Sequence, residues 1–285
     1  MGNTQTLKLK IIQDKKDAQN HLNRAEKEDF YLEECHDDKS NSIARRNLTY
    51  SPNSISISDI NNATIFIESV SLPIKLVSEL GEINIIQLMP TADGGMPHTR
   101  SNIICYPDIS LLFSKTTLIH ELWHIHQRTF QRYWIDIFKQ IGWTSWNGVL
   151  PYKLENNRRY NPDTIDSPFW IFKDTWVPVP IFKDITHPTV NNVEVWFYNP
   201  HKEYHTRQIP ELLSSYFTNL NNVAFEHPRE ITAYMLSEAE KFKSSIAYKD
   251  LINAIGYTAT SNAKSNAKSN TTSNATNISN KKSVQ

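Results

Sequence analysis

The chain has 285 residues, and 30 Lys and Arg balance 30 Asp and Glu, so it carries no electrostatic footprint for nucleic acid. No run of about 18 apolar residues exists to cross a bilayer, and no apolar stretch near the start reads as a secretory leader. Two cysteines, Cys35 and Cys105, are too few for a disulfide framework and fit a reducing compartment, while 7 Trp, 12 Tyr and 12 Phe suffice for one sizeable core.

The first residues, 1–44, are polar and charged and read as an arm outside the core. The alternation Ser54-Ile55-Ser56-Ile57-Ser58 reads as a half-buried strand, and Ala63 to Ile67 as a second. Pro73 to Leu80 reads as a short helix stopped by Gly81. Ile83 to Met89 and Asn102 to Tyr106 read as strands, with a turn at Asp93-Gly94-Gly95. Ser114 to about Ile141 has the strongest helical periodicity in the chain, closed by Gly142. From Trp143 to His205 the sequence is irregular and rich in Trp and Pro. Its aromatics read chiefly as core, and Asn192 to Tyr198 as a strand. Further helices are expected over Pro210 to Leu220 and from Pro228 past Phe242, with proline suiting the first helical turn. Residues 258–285 repeat Ser-Asn-Ala-Lys and offer almost nothing to bury, so they read as a disordered tail.

His120-Glu121-Leu122-Trp123-His124 is a HExxH motif inside the strongest helix. Residues four apart lie on one helical face, so His120 and His124 can reach one metal ion. Glu121 lies beside that face. There it can act as general base on water acidified by zinc and pass the proton to the leaving amine. The apolar neighbours Leu118, Ile119, Leu122, Trp123 and Ile125 bury this helix. His126 is two residues past His124 and points to the other side, so it belongs to the core, the surface or the surroundings of the site.

Over Ile119 to His126 the chain resembles the zincin metallopeptidases. The resemblance implies an α+β zincin-like domain over 45–257, with a small mixed sheet packed on the HExxH helix and a further helical half. It also implies zinc as cofactor, a peptide or protein as substrate, and an edge strand that pairs with extended substrate. Asn102 to Tyr106 is expected to be that strand, with His98 just before it. Gln127 and Phe130 stand where metzincins need glycine and histidine, and no Glu lies between His124 and Glu155. A gluzincin-type member with a long spacer is therefore the closest pattern. Glu230, in the first turn of a predicted helix, is the preferred third ligand; His227, His205, His201 and Glu155 are the alternatives. Tyr234, Tyr204 and His205 are candidates for stabilising the transition state. A deformylase-like site using Cys105 lacks that family's other motifs.

Met1-Gly2-Asn3-Thr4-Gln5-Thr6 fits the N-myristoylation pattern at Gly2. One acyl chain gives only marginal membrane binding, which Lys8, Lys10, Lys15 and Lys16 would reinforce. The expected placement is cytoplasmic and not secreted, at a membrane or in a virion if Gly2 is acylated. Cys35 is a candidate lid on the metal only through its position in the arm. Three rivals remain. One is an inactive zincin-fold binding or structural protein with a closed four-ligand site. Another is a membrane-anchored virion or scaffold component. The third, a SprT-like protease of DNA-bound proteins, needs a basic surface that the zero charge does not encourage.

Overall fold

The computed structural model describes residues 7–33, 39–46 and 48–256. In chain order the elements are β1 (Lys8–Ile11), α1 (Lys15–Asp29), α2 (Lys39–Arg45), α3 (Ile57–Ser69), α4 (Ile74–Glu79), β2 (Glu82–Gln87), β3 (His98–Arg100), β4 (Ile103–Tyr106), α5 (Lys115–Thr129), α6 (Gln131–Gln140), β5 (Trp143–Trp146), α7 (Tyr152–Asn156), β6 (Phe169–Phe172), β7 (Val177–Phe182), β8 (Val193–Asn199), β9 (Tyr204–Thr206), α8 (Glu211–Ser214), α9 (Pro228–Ser237) and α10 (Ala239–Phe242), followed by a helix over 246–256. The chain is a mixed α and β protein. No helix among the described residues is long and apolar enough to cross a membrane. Gly2, Cys35 and the 258–285 tail lie outside the described residues.

The first sheet has the order β1-β2-β4-β3, parallel except for the antiparallel β3. Successive strand residues face opposite sides, and the two faces have different partners. Ile83 and Ile85 of β2, with Ile104 and Tyr106 of β4, pack into the main core with Leu118, Leu122 and Ile125 of α5. Ile86 of β2, with Ile103 and Cys105 of β4, packs with Ala18, Leu22 and Ala25 of α1. A two-stranded sheet (β5-β6) and a three-stranded one (β7-β8-β9) carry the aromatic segment. Trp143 and Trp170 fall in the main core, and Trp196 in a smaller cluster with Val177 and Val179.

Several expectations need correction. The N-terminal segment is no detached arm. β1 pairs with β2 from Lys8↔Glu82 to Ile11↔Ile85, and α1 covers the sheet. Arg100, with no exposed surface, donates to both Asp29 oxygens and to Glu26 at 2.6 Å each. Neither strand expected over Ser54–Ser58 and Ala63–Ile67 forms: Ser54 to Ser56 lead into α3, which takes in Ile57, Ser58 and all of Ala63–Ile67. Ser56 caps it by accepting from Asp59 N at 3.0 Å, so its hydroxyl overrides the apparent period of two. The long helix over Ser114 to Ile141 is two helices. Phe130 leaves helical geometry at φ −113°, ψ 48°, between α5 and α6. Gly142 follows α6 at φ +93°, where a Cβ would sit 3.0 Å from the Phe172 ring. Asn102 to Tyr106 is not the sheet edge; β3 is.

Candidate metal centre

Ser114 caps α5 through Thr117 N, and the helix carries His120 and His124 one turn apart. Their Nε2 atoms lie 2.9 Å apart. Pro228 opens α9, and the His227 ring caps it by accepting from Arg229 N at 3.0 Å. α9 packs on α5 and brings Glu230 onto the histidine pair. Glu230 Oε2 is 3.3 Å from His120 Nε2, and Glu230 Oε1 is 3.4 Å from His124 Nε2.

These three groups are the residues, among those described, whose ligand atoms converge as a metal site requires. Tetrahedral zinc with bonds of roughly 2.0–2.1 Å sets its ligand atoms about 3.3–3.4 Å apart. The separations from Glu230, 3.3 Å through Oε2 and 3.4 Å through Oε1, fall at that spacing, and the two histidine nitrogens, 2.9 Å apart, lie about 0.4 Å closer than it. The donor set, two imidazoles and a carboxylate, suits zinc among several divalent ions. Electrostatics agree. Burial disfavours charge on His124, yet the Glu230 carboxylate lifts it to about 9. Burial likewise opposes ionisation of Glu230, and the two imidazoles hold it well below the usual carboxylate range. The pocket is thus organised around positive charge.

A cleft of about 370 Å³ opens on this cluster. Glu121 lines it, 4% exposed, and its Oε2 is buried without a hydrogen-bond partner. Burial, and then the Asp163 carboxylate, pushes its carboxyl well above the usual range. Such a group is suited to holding a proton in transit. Tyr234 lines the same cleft, its ring edge-on to His120 at 4.5 Å between centroids. Burial and the nearby Glu230 push its hydroxyl upward, so it stays a donor.

The other sequence candidates lie elsewhere. His205 stacks on Trp196, and Tyr204 is half-exposed on β9. His201 bonds the Asp174 carbonyl, and Glu155 pairs with Arg158. His227 is the α9 cap. His126 is locked between Glu79 at 2.8 Å and the Trp134 indole N–H at 2.9 Å. His98 is buried in β3, bonded to the Tyr50 hydroxyl and the Met96 carbonyl. Cys105 faces α1 on the sheet side opposite α5, so it cannot join the histidines.

Four residues beside the cluster escaped the sequence reading. Asn161 donates to Glu230 Oε1 at 3.0 Å and also bonds Glu226. Arg159 sits between Glu226 and Asp93. Asp163 accepts from both the backbone N–H and the hydroxyl of Thr99, at 2.7 and 2.6 Å. Gln127 bonds His124 Nδ1 at 3.1 Å. Only Gln127 left a sequence signal, its i+3 spacing from His124. The Asp163 contact also bears on the edge strand. β3 is buried throughout, and its Thr99 N–H is already taken, so an extended peptide cannot pair with it at Thr99 while Asp163 stays in place. Met96 and Pro97, just before β3, line the cleft instead.

Comparison with family models, curated proteins and solved structures gives no match.

Proposed function

We propose that this protein is a zinc-dependent peptidase of zincin-like design. The observation that carries the reading is the convergence of His120, His124 and Glu230 beside a buried, unpartnered Glu121 in an open cleft. His120, His124 and Glu230 would hold the ion. Zinc bound there supplies Lewis acidity and lowers the pKa of a coordinated water to about 7. Glu121 takes the proton from the attacking water and delivers it to the leaving nitrogen. Tyr234 donates a hydrogen bond to the oxygen that gains negative charge as the peptide carbonyl is attacked. Asn161 holds the Glu230 carboxylate in orientation.

Two further observations support this over a closed structural site. Only three protein ligands gather among the described residues, which suits a site keeping one position open. A purely structural site also gives no role to an orphaned carboxylate such as Glu121. The order of elements, a mixed sheet with an antiparallel edge strand, then the HExxH helix, then a helix bearing Glu230, is compatible with a gluzincin-type arrangement.

The test is hydrolysis of a fluorogenic peptide library by the full chain supplied with zinc. Cleavage that is lost in Glu121→Gln and abolished by a chelator is the expected result. Absence of cleavage by a zinc-loaded wild type across the library contradicts the proposal.

A further inference from the structure

Gln127 links the two helices that supply the candidate ligands. It lies on α5 one turn after His124 and has no exposed surface. Both hydrogens of its amide have acceptors on α9. One goes to the Arg229 carbonyl at 3.0 Å, the other to Thr232 Oγ1 at 2.9 Å. The Thr232 hydroxyl has two carbonyl acceptors, Pro228 at 2.9 Å and Arg229 at 3.2 Å, and donating to either leaves its oxygen free to accept. With the amide nitrogen fully used, the amide oxygen is the atom facing His124 Nδ1 at 3.1 Å. That oxygen only accepts. Nδ1 must therefore carry the hydrogen, and Nε2 is the nitrogen turned toward His120 and Glu230. The flipped amide would oppose its oxygen to the Arg229 carbonyl oxygen, so the network admits one orientation.

We propose that Gln127 is a positioning residue for a divalent cation at this cluster. One amide fixes the tautomer and ring plane of His124. It also holds the first turn of α9, where Arg229 immediately precedes Glu230. Its two functions join ligands that the chain places far apart. Outer hydrogen bonds of this kind orient ligating histidines and raise metal affinity. The inference rests on the metal reading of the cluster, not on peptide hydrolysis.

The experiment measures zinc affinity of the full chain by competition with a chromophoric chelator, in wild type, Gln127→Met, Gln127→Glu and Thr232→Val. Gln127→Met keeps the length of the side chain and removes every hydrogen bond. It is expected to weaken zinc binding about 10- to 100-fold. Gln127→Glu keeps an acceptor for His124 Nδ1 and, protonated on the oxygen that faces the Arg229 carbonyl, should recover part of that loss. Thr232→Val removes one acceptor of the amide and should give a smaller loss. It remains informative if Gln127→Met fails to fold.

A second readout separates positioning from general stability. In the cobalt-substituted protein the His124 Nδ1 proton is observable as a shifted exchangeable resonance. Its exchange with deuterium should quicken in Gln127→Met and Thr232→Val. Unchanged zinc affinity together with unchanged proton exchange overturns the proposal, as does a wild type that binds no zinc. Zinc binding that weakens as described, in a protein that cleaves no peptide, supports the role of Gln127 and contradicts only the peptidase reading.

Discussion

Asn161 Nδ2 donates to Glu230 Oε1 at 3.0 Å, the same oxygen that lies 3.4 Å from His124 Nε2. The carboxylate is thereby held with one oxygen toward each histidine. Asn161 comes from the loop after α7, which is itself pinned. Arg128 of α5 donates to the Pro162 carbonyl at 2.9 Å, and Asp163 accepts from Thr99 of β3. Replacing Asn161 with Leu should weaken zinc binding about tenfold or more while leaving the fold intact. Chelator competition, with circular dichroism as control, checks this.

On the proposed mechanism Glu121 serves catalysis and not metal binding. Its buried Oε2 has no partner, so its loss breaks no existing hydrogen bond. Glu121→Gln should retain zinc and lower peptide hydrolysis by about 10²- to 10⁴-fold, the usual contribution of a general base. Elemental analysis and a steady-state assay on one preparation give both values.

The motif helix and the candidate ligands were legible because their signal is local. Four-residue spacing places His120 and His124 on one face wherever a helix forms, and Pro228 marks the start of the helix that carries Glu230. What was hidden depends on tertiary contact. Asn161 and Asp163 sit on a loop whose path no periodicity reports. α1 buries only Ala18, Leu22 and Ala25, too narrow an apolar stripe to stand out among its charges. At Ser54–Ser58 the alternation was real, but Ile57 begins α3 on an exposed position and Ser56 serves as its cap. Local capping chemistry prevailed over pattern there.

The buried pairing of Arg100 with Asp29 and Glu26 ties α1 to β3. Removing Asp29 takes away two of the three carboxylate hydrogen bonds of the buried Arg100 and leaves the part-exposed Glu26 to balance its charge, which costs up to about 3–5 kcal/mol. Asp29→Ala should destabilise the whole protein by about that amount in chemical denaturation, in a single transition. Near-neutral stability of this variant contradicts the placement of the N-terminal segment within the fold.

Asp166 gives a pH dependence of defined sign. Burial opposes its ionisation, but the Arg229 and Arg128 guanidiniums outweigh this and lower its carboxyl from 3.8 to about 2. The folded protein therefore releases this proton more readily than the unfolded chain. The stabilisation is complete above 3.8 and disappears as pH falls toward about 2. It amounts to at most about 2 kcal/mol. Asp166→Asn should lose this at neutral pH and approach wild-type stability as the medium is acidified, which denaturant titrations across the acid range will reveal.

The convergence of His120, His124 and Glu230 is expected to hold one metal ion. Elemental analysis of the purified full chain, beside His124→Ala and Glu230→Ala, tests it most directly. One zinc per wild-type chain is expected, lost in both variants, with circular dichroism showing both still folded. A wild type that takes up no zinc at neutral pH, or a folded Glu230→Ala that keeps it at full affinity, rules out a metal site built from these three residues.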